Sequence, residues 1–189
     1  MTTDTTLTAA PTTWRTVARW LVSFVGFPLG AVAAMLVAGA VDGVAPALVG
    51  GLVSGAVIGL AQAWAMRADR RLTAGWTVAT ALGLSAGLAV GSGAVGFGTT
   101  LADLVVQGAV CGLAVGAAQT VLLLPRIGAV AWTWPAYLSA VWALGWLVTT
   151  TVGVEVDERF TVFGSSGAVT VTLLTAVLPL RIHHPRRPR

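Results

Sequence analysis

Few side chains in this sequence could do chemistry. Asp103 and Gln107 stand four residues apart, on one face of a helix. An acid within an apolar segment could couple to a proton or a cation. Thr100-Leu-Ala-Asp103 also has the spacing of a helix-start capping box, where an acidic group suits the dipole, and that reading is the simpler one. Gln62 and Gln119, with Thr175, could line a solute path or a pocket. The plainer alternative is interhelical hydrogen bonding, at about 0.5–2 kcal/mol per contact. Trp142 and Trp146 lie one turn apart in an apolar segment and could face lipid, fill a core or stack on a flat apolar ligand. His183 and His184 are adjacent, so they point in different directions, and no carboxylate or cysteine is near them; no metal site is expected. Cys111 stands alone among small residues and reads as packing. No hydrolase, kinase or nucleotide motif is present, so no catalytic residue is assigned, no cofactor is expected and an enzyme is not the expected class.

The elements that must position these groups carry a sharper signal. Gly51-Leu-Val-Ser-Gly55-Ala-Val-Ile-Gly59-Leu-Ala-Gln62 returns as Gly108-Ala-Val-Cys-Gly112-Leu-Ala-Val-Gly116-Ala-Ala-Gln119. On a helix, three glycines spaced by four and a glutamine three further on fall within a stripe about 80° wide. Each segment therefore presents a smooth groove ending in one polar group, the pattern of helices packed closely inside a bilayer. Gly83, Gly87 and Gly91 form a third such stripe.

Composition sets the class. Only 10% of the 189 residues are charged and the mean hydropathy is +0.85, whereas a soluble domain carries about a quarter charged residues. The chain reads as an all-α integral membrane protein. At about 20 apolar residues per span it holds six spans: 20–41, 47–66, 75–95, 101–124, 131–152 and 160–180. Residues 1–13 read as a disordered tail, 14–181 as one membrane domain and 182–189 as a basic tail. Pro28 is expected to kink the first span, and Pro125-Arg126 to close the fourth. With six spans, ten of the eleven arginines share a side with both termini, and Arg159 alone lies opposite. The positive-inside rule then puts both termini in the cytoplasm, in an inner (plasma) membrane. Trp14, Trp20, Trp64, Trp76, Trp132 and Trp134 map to that interface and read as an aromatic belt. The expected partners are the lipid bilayer, with anionic headgroups at the arginine-rich face, and either a second copy or a larger membrane complex. A nucleic-acid role would need a basic soluble face, and none is present.

Trp20, Trp76 and Trp132 are spaced by 56 residues, and each precedes its matching polar residue, Gln62, Gln119 or Thr175, by 42 or 43. The chain thus reads as three tandem hairpins of like orientation, at 20–66, 76–124 and 132–180. Such units could close around an axis or lie in a row. The pattern Gly-x-x-x-Gly-x-x-Gln, a basic loop and then Ala-Gly-Trp resembles a group of bacterial multi-pass membrane proteins with no assigned activity. Gln62-Ala-Trp64-Ala-Met-Arg67 and Ala74-Gly75-Trp76 carry the likeness, while Gln119-Thr-Val-Leu-Leu-Leu-Pro-Arg126 departs from it. The first functional expectation is a structural, accessory or regulatory membrane subunit that works through helix contacts. The second is a transporter or channel-like carrier of a small neutral or apolar solute, and the third a lipid or apolar-ligand binding module.

Overall fold

The computed structural model describes residues 13–152 and 162–183. Among these the chain is helical: α1 (Thr13–Val22), α2 (Gly26–Ala38), α3 (Val44–Ala65), α4 (Arg70–Ala94), α5 (Leu101–Ile127), α6 (Trp134–Thr151), α7 (Ser165–Thr175) and α8 (Val177–His183). The acidic stretch Glu155–Arg159, the N-terminal tail through residue 12, His184 and the arginines after it lie outside the described residues.

Five helical stretches are long and apolar enough to cross a membrane: Thr13–Ala38, Val44–Ala65, Arg70–Ala94, Leu101–Thr151 and Ser165–Ile182. The fourth has 51 residues. As one straight helix it would be about 75 Å long, more than twice the hydrocarbon thickness of a bilayer. It instead doubles back at a 3₁₀ turn, Gly128–Thr133, so α5 and α6 lie antiparallel.

The outside is far more apolar than that of a soluble domain, and the interior holds several polar side chains. Leu36, Val90 and Val121 are 82%, 63% and 71% exposed on the outside, while Ser54, Thr80, Gln107, Gln119, Thr149 and Thr172 are buried. An apolar perimeter around a partly polar interior fits a surrounding hydrocarbon solvent.

Prolines and glycines set the element ends. Pro28 has no N–H for the carbonyl of Phe24, and the helix there tightens into a 3₁₀ turn at Ser23–Val25. Pro179 likewise offers no N–H to Thr175, and the last helix breaks at Ala176 into α7 and α8. Pro125 does not close α5. The helix runs on to Ile127 and stops at Gly128, whose φ of +64° suits glycine. Arg70 and Arg71 begin α4 rather than lie in a loop, because Asp69 caps it by accepting from the Leu72 N–H at 2.8 Å.

Neighbouring arms pack antiparallel and very closely. A Cβ at Gly51, Gly55 or Gly59 would lie 2.7–2.8 Å from the Cα of Ser85, Ala81 or Thr77 on α4. At Gly83 or Gly87 it would lie 2.7 Å from the Cα of Val115 or Cys111 on α5, and at Gly91 3.1 Å from the Gln107 carbonyl. Gly108, Gly112 and Gly116 face Trp146, Leu138 and Pro135 of α6. Gly26 and Gly30 of α2 meet Ile58 and Ser54 of α3, and Gly145 of α6 meets Val171 of α7. The circuit closes where Trp20 reaches Thr172 and Phe27 stacks on Phe163 at 5.2 Å. First and last arms are thus neighbours, and the described helices form a ring.

Candidate functional site

The ring places one polar layer across its interior. Three tryptophans point inward, each giving its indole N–H to another arm. Trp76 Nε1–H on α4 donates to Gln62 Oε1 on α3 at 2.9 Å. Trp134 Nε1–H on α6 donates to Gln119 Oε1 on α5 at 2.8 Å. Trp20 Nε1–H on α1 donates to Thr175 Oγ1 at 3.2 Å and to the Thr172 carbonyl at 3.0 Å, both on α7. The donations run in cyclic order: each indole reaches the arm that precedes its own, and the first arm reaches the last.

Gln119 extends the layer. Its Nε2 donates to Thr80 Oγ1 at 3.0 Å, and Thr80 in turn donates to the Trp76 carbonyl at 2.8 Å. One hydrogen-bonded chain therefore links α6, α5, α4 and α3. Thr80 is a layer member that sequence spacing missed, although it stands four residues after Trp76, on the same helix face.

Trp20, Gln62, Trp76, Gln119, Trp134 and Thr175, one from each arm, border a central cavity of about 10 Å3. That is room for one water at most. Four further buried hydroxyls, those of Ser54, Thr120, Thr149 and Thr172, turn back onto the carbonyl four residues earlier in their own helices.

The tryptophans do not act as one belt. Trp14, Trp64 and Trp132 are outward and largely exposed, whereas Trp20, Trp76 and Trp134 are interior. The residue that meets Gln119 is Trp134, 7% exposed, and not Trp132, 68% exposed. The 3₁₀ turn Gly128–Thr133 has no counterpart in the loop before α4, and it slides the matching position by two residues.

Trp142 and Trp146 fill the core. Both are buried, packing edge-on against Phe163 at 5.3 and 6.0 Å, with Phe27 6.0 Å from Trp142. Their rings are occupied by one another's neighbours. Asp103 is the third residue of α5 and completes the capping box whose N-cap is Thr100. Its carboxylate accepts from the Thr100 N–H at 3.1 Å and hydroxyl at 2.6 Å, and its own N–H donates to Thr100 Oγ1 at 3.3 Å. Gln107 is buried one turn further on, where its backbone meets Gly91, and so is not joined to the central layer. Cys111 is buried against Gly87. Among the described residues no three His, Cys, Asp or Glu side chains group as metal ligands would.

No protein-family model, curated protein or solved structure matches this chain.

Proposed function

We propose that the chain is a six-span protein of an inner (plasma) membrane, three tandem hairpins closed around a pseudo-threefold axis with both termini cytoplasmic. It acts as a structural, accessory or regulatory membrane subunit. The observation that carries this reading is the sealed axis. The oxygens of Gln62 and Gln119 are taken up by the indoles of Trp76 and Trp134, the Gln119 amide N–H by Thr80, and about 10 Å3 remains. The glycine stripes support it in a particular way. They are spent inside the chain, so any partner meets the apolar perimeter rather than a glycine groove. The distribution of arginine supports the orientation, and the likeness to bacterial multi-pass proteins is consistent with the location.

A carrier remains the second reading, because Gln62, Gln119 and Thr175 converge from three arms on one axis and Gln62 is partly exposed. Transport would require the indole bonds to open and close.

Purification from native membranes in mild detergent, with mass spectrometry and light scattering, separates the two. A stoichiometric partner supports the accessory-subunit reading. A lone monomer, with flux of small neutral solutes in proteoliposomes that Gln119→Leu abolishes, replaces it with the carrier. Topology is read by labelling Arg71→Cys and Asp42→Cys, both exposed positions. An impermeant maleimide outside the cell is expected to label only the second.

A further inference from the structure

A lateral groove of about 480 Å3 opens on the perimeter between α6 and the broken helix α7–α8. The helix is interrupted at Ala176, three residues before Pro179, and the Tyr137 hydroxyl ties α6 to α7 there by donating to the Leu174 carbonyl at 2.6 Å. Val130, Leu174 and Val177 line it with exposed hydrocarbon.

Its polar groups are nearly all committed elsewhere. The Trp134 N–H goes to Gln119, the Tyr137 hydroxyl to Leu174, and the Thr133 hydroxyl to the Val130 carbonyl. Among the described residues Arg181 supplies the one charge in the lining, and no carboxylate joins it. The chemistry on offer is therefore a hydrocarbon trough with a single exposed guanidinium at its rim. A zwitterionic or neutral occupant would leave that charge unused, and a peptide would leave its backbone groups without partners.

We propose that the groove holds one anionic phospholipid of the surrounding bilayer, an acyl chain lying along Val130, Leu174 and Val177 and the phosphate at Arg181. The guanidinium matches a phosphate through paired N–H donors. The inference rests on the membrane-spanning reading above. It adds a specific lipid site to the general attraction of a basic face.

The test uses the full chain in a non-ionic detergent, titrated with phosphatidylglycerol or phosphatidylcholine of identical acyl chains and read by native mass spectrometry. Wild type is expected to retain phosphatidylglycerol about fivefold better, the scale of one arginine at an anionic surface. Arg181→Gln, at an exposed position, should bring the two lipids level. Val177→Trp, which fills the trough, should lower retention of both. Equal retention of both lipids by wild type would overturn the proposal, as would an Arg181→Gln variant that keeps the preference. Displacement of phosphatidylglycerol by equimolar oleate would overturn the choice of a bilayer phospholipid. Failure of the membrane reading itself has a separate signature, release of the chain from membranes by alkaline carbonate.

Discussion

Replacing Gln119 by leucine should destabilise the bundle more than any other single change in the central layer. Gln119 is 2% exposed and makes two contacts between arms, accepting from Trp134 and donating to Thr80. Leucine keeps roughly the volume and removes both. Interhelical hydrogen bonds in membranes are worth about 0.6 kcal/mol on average and up to about 1.7, so two fully buried bonds come to about 2 kcal/mol. For a chain of this length that lowers the melting temperature by about 4–8 °C. Gln62→Leu removes one bond at a partly exposed position and should cost about half as much. Thr175→Val should shift melting by about 1 °C or less, because Trp20 keeps the Thr172 carbonyl as acceptor. The sole cysteine gives the assay. Cys111 is buried, so a thiol-reactive fluorophore reports its exposure as the detergent-solubilised protein is heated. The double variant with Trp134→Phe should be less destabilised than the sum of its parts by about 1 kcal/mol. If Gln119→Leu melts no lower than Thr175→Val, the layer does not hold the arms together and the reasoning fails.

Two further predictions concern backbone packing and capping. Gly55→Leu and Gly112→Leu each drive a side chain into the backbone of the next arm and should abolish monodisperse protein on size exclusion, whereas Gly93→Ala, with nothing within 4 Å, should be tolerated; wild-type behaviour of both leucine variants would remove the packing argument. Thr100→Ala should cost about 1 kcal/mol through loss of the α5 cap, read as a melting shift of about 2–4 °C, with Asp103→Asn milder; a larger effect of Asp103→Asn on a pH-dependent flux would restore a coupling role for that acid.

What the sequence made legible was local. The capping box at Thr100-Leu-Ala-Asp103 spans four residues, and both its backbone bonds form. Apolar segments of span length announce helices, because hydrocarbon leaves the backbone no partner but itself. What stayed hidden depended on where the arms sit in space. Trp20 meets Thr175 across 155 residues, and nothing in the spacing said that the first arm neighbours the last. The interior tryptophans looked like interfacial ones because an indole near a helix end suits either place. Only the acceptor decides, and Gln62 lies 14 residues before Trp76 in the opposite arm. Pro125 misled because a proline costs a helix one backbone bond without ending it, and α5 stops only at Gly128. The break at Ala176 was hidden for a related reason: the apolar run continues through Pro179, and composition does not register one missing backbone bond.

The closed ring is the central claim, and one cross-link tests it most directly. Phe27 and Phe163 stack at 5.2 Å where the first arm meets the last. With Cys111 changed to Ser, a Phe27→Cys/Phe163→Cys pair is treated in native membranes with a short bis-methanethiosulfonate, each cysteine thiol displacing one sulfinate. A protease site inserted after Val152 then separates α1–α6 from the remainder of the chain. The account predicts that the two fragments migrate together after cleavage, only when both cysteines are present. Fragments that separate, while a control pair at Gly145 and Val171 on α6 and α7, which flank the cut, holds them together, would show the arms lying in an open row and would contradict it.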